Sequence, residues 1–99
     1  MAVGADGVIS VASNIIPKEV SQMVQAFSEG NLKAALKIHA RFFPLFRTLF
    51  VETNPIPIKA AMAMLNMVQE QYRLPLVPMQ KKNRELLEQA LRQCGVLKP

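Results

Sequence analysis

A single short β-prone segment, followed only by helical patterns, limits what this chain can fold into. Val8, Ile9 and Val11 form an apolar run with glycine before it and a Ser-Asn pair after it, which is typical of a strand buried on both faces. The backbone groups of such a strand need hydrogen-bonding neighbours on both sides. No other segment of the 99 residues predicts a strand. The pattern therefore indicates the end of an α/β protein whose other strands lie outside this sequence.

The next part of the chain predicts two helices. Pro17 can begin the first and Gly30 can end it. Asn31 can cap the second, and Pro44 inside that helix predicts a kink or a break. The second helix carries a near-helical apolar stripe with Ala35 and His39 on the same side: Leu32, Leu36, Phe43, Phe46 and Phe50.

Two proline-stiffened connections separate two further predicted helices. Pro57 can begin the third helix, and Asn66 can end it in the left-handed conformation. The last helix is predicted from about Gln80 to Cys94, with Gly95 as its terminator. Its predicted buried stripe is formed by Leu87, Ala90, Leu91 and Cys94.

Composition excludes several classes of protein and site. Apolar residues make up 51% of the chain and charged residues 19%, which excludes a disordered tail. One cysteine and one histidine exclude an internal disulfide framework, a cysteine-based zinc site and a paired-histidine metal motif. No apolar run approaches the ~18 residues of a membrane span. Residues 1–10 lack the basic start of a signal peptide, so a soluble cytoplasmic chain with no membrane partner is expected.

The net charge of +5 does not predict a nucleic-acid partner. Lys33, Lys37 and Arg41 recur at four-residue spacing, which is typical of a solvated helix face. In the last helix, Glu85 and Glu88 can pair with basic residues four positions away. The chain has no tryptophan and one tyrosine, whereas single-stranded nucleic acids are bound by aromatic side chains among basic ones.

The titratable residues predict no catalytic group. His39 and Cys94 lie among apolar neighbours and are better explained by packing. Lys59, in a proline-rich corner, could act as a Schiff-base amine, but such a lysine requires a desolvated pocket. The first turn of an amphipathic helix is usually solvated, which favours a surface or capping role for this lysine.

The C-terminal end of the predicted strand is a candidate binding position. In α/β barrels, chemistry gathers where the strands end. Ser10 and Asn14 could offer polar groups there, and the backbone of Ile9 could meet a small ligand. Alternatively, Ser10 points into a barrel layer and Asn14 caps the following helix. The sequence leaves both readings open.

Three segments together resemble the C-terminal portion of the dihydrodipicolinate synthase (4-hydroxy-tetrahydrodipicolinate synthase) family. They are Gly4–Val11 (GADGVISV) with Asn14, Glu52–Lys59 (ETNPIPIK) and Tyr72–Pro78 (YRLPLVP). Their order and approximate spacing match the family over essentially the whole chain. The second and third segments are the specific ones. Asn66 departs from the family pattern, which usually has glycine there, but it keeps the capping role.

The resemblance implies a (β/α)₈ barrel fold represented here by its last unit, residues 1–30, and by a C-terminal helical region, residues 31–99. This chain alone is expected to be mostly α. The implied activity is a lyase of lysine biosynthesis (the diaminopimelate pathway), which condenses pyruvate with aspartate semialdehyde through a Schiff base. The catalytic groups are expected upstream of this chain, and Lys59 does not match the Schiff-base position. The one site residue carried over is Ile9, whose backbone is expected to border the pyruvate. No metal or organic cofactor is implied.

Two interpretations follow from the resemblance. In the first, the chain is a fragment of this lyase, inactive alone, lacking the upstream barrel, with a homo-oligomer as the full enzyme. In the second, it is a free-standing, non-catalytic helical interaction module. A (β/α)₈ barrel needs roughly 250 residues, so 99 residues favour the first.

Overall fold

The computed structural model describes residues 1–98 as four α-helices preceded by a single turn of 3₁₀ helix. Helix α1 packs along α2, and α4 packs against both α2 and α3. The 3₁₀ turn contacts α1 and α3. The elements are the 3₁₀ turn Ala12–Asn14, α1 Pro17–Ser28, α2 Leu32–Thr48, α3 Ile56–Met64 and α4 Lys81–Gln93.

The predicted strand is not formed, which corrects the expectation for Val8–Val11. Residues 1–98 contain no strand, and residues 5–10 make no backbone–backbone hydrogen bond. The side chain of Ile9 is fully exposed. The physical reason is that the backbone of a strand must form hydrogen bonds with neighbouring strands, and residues 1–98 supply no such strand.

The signals that bound the first two helices are confirmed. Helix α1 begins at Pro17, and Gly30 adopts a φ of 82° after it ends. Asn31 caps α2, because its side-chain oxygen accepts a hydrogen bond from the Ala34 N–H at 3.2 Å. Each signal acts within one helical turn, so local sequence decides the outcome.

Helix α2 continues through Pro44, so of the two predicted alternatives, a kink or a break, the break is not formed. The helix runs unbroken from Leu32 to Thr48, and the Thr48 hydroxyl donates to the Pro44 carbonyl at 2.7 Å. A proline inside a helix costs about 3 kcal/mol. Leaving the helix there would uncover Leu45 and Leu49, both fully buried, and burying one such side chain contributes about 1.5–3 kcal/mol. Burial of the residues after the proline therefore outweighs the lost hydrogen bond.

The apolar stripe predicted along α2 is not the buried side of that helix. Leu32, Leu36 and Phe43 are exposed, whereas Phe42 and Leu45 belong to the core. The face that α2 turns towards the other helices is thus offset from the stripe, and a second apolar face remains uncovered.

Helix α3 begins at Ile56, one residue before the predicted start, after a cis Asn54–Pro55 peptide bond. The left-handed termination predicted at Asn66 is confirmed by its φ of 58°. The Met67 N–H then bonds back to the Met62 carbonyl at 2.9 Å, which satisfies a carbonyl at the helix end.

Helix α4 is held at both ends by side chains from other parts of the chain. At its start, the Glu52 carboxylate accepts from the Gln80 N–H at 3.0 Å and from the Asn83 amide at 2.9 Å. At its end, the Arg41 guanidinium donates to the Cys94 carbonyl at 3.2 Å, and the Cys94 thiol donates to the Arg41 carbonyl at 3.3 Å. The two attachments place α4 over α2 and α3.

The buried stripe predicted for α4 is confirmed, since Leu87, Ala90, Leu91 and Cys94 are all buried. Of the predicted charge pairs, Glu88 and Arg92 meet at 2.7 Å, while Arg84 pairs instead with Glu70 in the preceding connection.

Truncating Leu91 tests the core. Leu91→Ala removes a fully buried side chain and is expected to lower the free energy of unfolding by about 2–5 kcal/mol. Leu86→Ala is the matched control on the same helix, because Leu86 is 44% exposed, and its change is expected to stay within about 0.5 kcal/mol. Urea unfolding followed by circular dichroism measures both. Equal losses in the two variants would contradict the assigned packing of α4.

Removing the Glu52 carboxylate tests the attachment at the start of α4. Glu52→Ala leaves the Gln80 N–H and the Asn83 amide without this acceptor, and it is expected to cost about 1 kcal/mol, as loss of a helix cap does. In a domain of this size that loss lowers the melting temperature by ~4–8 °C. Glu85→Ala, an exposed position on α4, is the control and is expected to melt with the parent chain. A Glu52 variant that also melts with the parent chain would refute the capping role.

Candidate functional site

The N-terminal segment borders an open apolar groove of about 340 Å³. Val8 and Ile9 form one side of this N-terminal groove, and residues of α1, α2 and the turn after α2 form the other. The far side includes Val20, Met23, His39, Phe46 and Phe50. The candidate ligand-contacting residue Ile9 therefore lies at the rim of a concave surface, with its backbone free of backbone–backbone hydrogen bonds.

A second groove of about 540 Å³ continues along α1 and α2. This interhelical groove shares Met23 and His39 with the N-terminal groove, so the two are contiguous. Its other lining residues include Met1, Val24, Phe27, Leu32 and Leu36. We refer to the two grooves together as the apolar face.

Ser10 and Asn14 hold the turn after the N-terminal segment. The Ser10 side-chain oxygen accepts from the Ser13 N–H at 3.1 Å, and the Ser13 hydroxyl donates to the Ser10 carbonyl at 2.6 Å. The Asn14 amide donates to the Val11 carbonyl at 2.9 Å. Asn14 does not cap α1, whose start has no side-chain cap. In this chain both polar residues serve the local turn.

Lys59 lies on the first turn of α3 and has a structural contact. Its Nζ donates to the Gln71 carbonyl at 3.1 Å and lies 5.9 Å from the centroid of the Tyr72 ring. The side chain is half-buried and bridges α3 to the following connection. These contacts fit the surface or capping role favoured by the sequence rather than a Schiff-base amine in a desolvated pocket.

His39 and Cys94 have different environments. The His39 ring is exposed and lies 5.3 Å from the Phe43 ring and 6.1 Å from the Phe46 ring, centroid to centroid. Cys94 is buried, and burial raises the pKa of its thiol, which opposes a role as nucleophile. His39 therefore belongs to an exposed apolar surface, whereas Cys94 belongs to the buried core.

Tyr72 is a residue that sequence reasoning missed. Its hydroxyl is enclosed, close to the ion pair in which Arg84 and Glu70 meet at 2.7 Å. Burial, reinforced by the negative Glu70 carboxylate, raises the pKa of Tyr72 from 10.0 to about 12. In the sequence, Tyr72 is distinguished as the single tyrosine and as the first residue of the segment Tyr72–Pro78. Neither feature distinguishes a buried hydroxyl from an ordinary packed ring.

The main feature that residues 1–98 offer is an apolar surface. Residues 1–98 hold no group of three or more His, Cys, Asp or Glu side chains placed to bind a metal ion. Among the helices of the same residues, none is both long and apolar enough to span a membrane. No nucleophile is paired with a base among the side-chain hydrogen bonds described above. What the geometry provides is an apolar face and an N-terminal segment with unpaired backbone groups.

Comparison with known proteins gives one consistent match. The model of the dihydrodipicolinate synthetase family matches residues 1–94. The 4-hydroxy-tetrahydrodipicolinate synthase of Thermotoga neapolitana is 48% identical over 97 residues, which is 98% of this chain and 33% of the relative. The chain therefore spans about a third of the length of the curated relative.

Solved structures agree with the sequence match. The dihydrodipicolinate synthase of Thermotoga maritima superposes with a TM-score of 0.93 at 44% identity, covering 97% of this chain and 32% of that structure. The chloride-inhibited synthase of Acinetobacter baumannii, solved in complex with pyruvate, gives 0.90 at 36% identity, covering 96% and 33%. The expectation of a barrel family represented only by its C-terminal portion is confirmed.

Titrating the single tyrosine tests the environment of Tyr72. In the folded chain, tyrosinate absorbance is expected to rise with a midpoint near pH 12, and in denaturant near pH 10. Because the folded pKa lies above the unfolded one, the fold is expected to lose stability as the pH rises from about 10 to about 12. Tyr72→Phe removes the ionisable group and should abolish that part of the loss. A folded-state midpoint near 10 would contradict the enclosed hydroxyl.

Proposed function

Because the chain belongs to the dihydrodipicolinate synthetase family, we propose that it completes a 4-hydroxy-tetrahydrodipicolinate synthase that condenses pyruvate with aspartate semialdehyde. The observation that carries this proposal is the near-complete match of the chain to the C-terminal third of such enzymes. The alternative of a free-standing interaction module is not favoured, since a module with its own role would not need to keep 48% identity along 98% of its length to a synthase.

In this proposal, the catalytic lysine and its proton relay belong to the upstream two-thirds. Lys59 is not the Schiff-base lysine, because its Nζ already donates to the Gln71 carbonyl and it is not enclosed in a pocket. The chain alone is accordingly expected to be inactive. We propose no metal ion or organic cofactor for the reaction.

The backbone of Ile9 is the part of this chain proposed to border the pyruvate. Its N–H and C=O are not used in backbone–backbone hydrogen bonds, and the segment ends at a turn fixed by Ser10 and Ser13. In barrel enzymes the ends of the strands form the site, and a pyruvate complex has been solved for the Acinetobacter baumannii relative. Pairing with neighbouring strands would hold Ile9 in place beside the substrate.

The organisation of the chain follows from the same proposal. Residues 1–30, ending with α1, supply the last β/α unit of the barrel, and residues 31–99 form an appended helical region. The complete enzyme is proposed to be a cytoplasmic homo-oligomer whose substrates are pyruvate and aspartate semialdehyde.

A single-chain chimera tests the function. The Thermotoga neapolitana synthase is built with its matched C-terminal third replaced by these 99 residues, and condensation of pyruvate with aspartate semialdehyde is assayed. The chimera is expected to turn over, because the exchanged third is 48% identical to the segment that it replaces and belongs to the same family. The 99-residue chain alone, and the relative truncated before its last third, are the controls and are expected to form no product. A folded chimera without turnover, or turnover by the 99 residues alone, would refute the proposal.

A further inference from the structure

The connection between α3 and α4 has little structure of its own. Residues 67–79, which we call the strap, lie outside the helices. The one backbone–backbone hydrogen bond between two residues of the strap joins the Leu76 N–H to the Arg73 carbonyl at 2.9 Å. Leu74 is 86% exposed and Val77 is 54% exposed. Segments with few internal contacts and exposed side chains open at low free energy, so the interactions that keep the strap closed come from outside it.

Two charged side chains from different helices hold the strap near its start. Lys59 of α3 donates from Nζ to the Gln71 carbonyl at 3.1 Å, and the same Nζ lies 5.9 Å from the centroid of the Tyr72 ring. Arg84 of α4 donates to both carboxylate oxygens of Glu70, at 2.7 and 3.0 Å. These contacts act on three consecutive residues of the strap. We refer to Lys59 and the Glu70–Arg84 ion pair as the two anchors.

At its other end the strap is attached to the start of α4. Met79 is 7% exposed and belongs to the buried core, and the next residue, Gln80, donates its N–H to the Glu52 carboxylate at 3.0 Å. Helix α4 also reaches the core through side chains further along its length. Opening of the strap from its start as far as Pro78 therefore leaves the attachment of α4 in place.

The same contacts relate two segments singled out in the sequence. The first, 52–59, begins at Glu52 and ends at Lys59, so it supplies the contact before α4 as well as a contact near the start of the strap. The second, 72–78, lies within the strap. One specific segment thus holds the other, and the proposed function assigns no role to this pairing.

We propose that the strap is a conformational device that opens from its start while α4 stays attached to the core, with Lys59 and the Glu70–Arg84 ion pair keeping it closed. Opening releases the Lys59 amine from the Gln71 carbonyl and removes Tyr72 from the core against which it packs. The proposal goes beyond the proposed function and does not depend on it.

Cleavage after Arg73 measures the opening. Arg73 is the single lysine or arginine of the strap. An arginine-specific protease is added at low concentration to the folded 99-residue chain, and formation of the fragment 1–73 is followed by mass spectrometry. Under these conditions the cleavage rate, relative to that of an isolated peptide of residues 67–79, tracks the population of the open form.

Removing either anchor is expected to speed this cleavage. Lys59→Met removes the amine and is expected to raise the rate about tenfold, because a hydrogen bond from a charged group is lost. Arg84→Met and Glu70→Gln each remove the partly exposed ion pair and are expected to raise the rate about twofold to fivefold. Lys82→Met removes an exposed cation from α4 and is the matched control, expected to be cleaved at the rate of the parent chain.

Hydrogen exchange of α4 distinguishes opening of the strap from detachment of the helix. The amides of residues 87–91, in the middle of α4, exchange when the helix leaves the core and unfolds. The opening equilibrium obtained from cleavage of the strap is expected to exceed that obtained from this exchange at least about tenfold. Arg41→Met removes the donor to the Cys94 carbonyl at the far end of α4. It is expected to speed the exchange about tenfold and to leave cleavage after Arg73 unchanged.

Three results would overturn the proposal. Equal opening equilibria for the strap and α4 would mean that the two open together. Cleavage of the Lys59, Arg84 and Glu70 variants at the parent rate would mean that the anchors do not hold the strap. An Arg41→Met variant whose cleavage rises as much as its exchange would mean that the strap follows α4. Circular dichroism verifies that the helices of each variant are intact, and Glu70→Gln tests the ion pair independently of any change in α4.

Discussion

The structure depends on the attachment of α4 at both of its ends. Glu52 provides the acceptor that its first turn needs, and Arg41 provides a donor to the carbonyl of Cys94 at its last turn. An anion at the start of a helix and a cation at its end also suit the helix dipole. With both ends fixed, Leu87 and Leu91 share one buried core with Leu45 and Leu49, and α4 packs against both α2 and α3.

This arrangement separates two kinds of apolar surface on one helix. Phe42 and Leu45 of α2 are buried in the core, whereas Leu32 and Leu36 are exposed to solvent. Under the proposed function, the uncovered side and the N-terminal segment beside it are the parts of the chain that would meet the rest of the enzyme.

Local signals were predictable from the sequence, and contacts between distant segments were not. Pro17, Gly30, Asn31, Asn66 and Gly95 each act within a turn of their position, and the helix ends were predicted from them with errors of about a residue. A break at Pro44, one of the two predicted alternatives, is not formed because burial further along α2 decides that position. The prediction that a strand at Val8–Val11 needs partner strands was correct. Because residues 1–98 supply none, the strand is not formed. The role of Glu52 depends on partners 28 and 31 positions away in the chain, and the ion pair beside Tyr72 joins residues 14 positions apart. Pattern and spacing carry no information across such separations.

The candidate site shows the same limit of prediction from local sequence patterns. Ile9 could be singled out only through resemblance to a family, because a backbone that contacts a ligand leaves no side-chain signature. The match over 98% of the chain supports the family assignment, while the role of Ile9 remains a proposal.

The single thiol of the chain, that of Cys94, makes local opening of the structure measurable. Cys94 lies beneath the junction of α2 and α4, bonded to the Arg41 carbonyl, so a reagent can reach its sulfur only after that junction has come apart. The rate at which a thiol reagent labels the native protein therefore reports how often α4 separates from α2. Cys94 is thus a built-in probe of local opening. Because it is the single cysteine of the sequence, no other thiol contributes to the labelling signal.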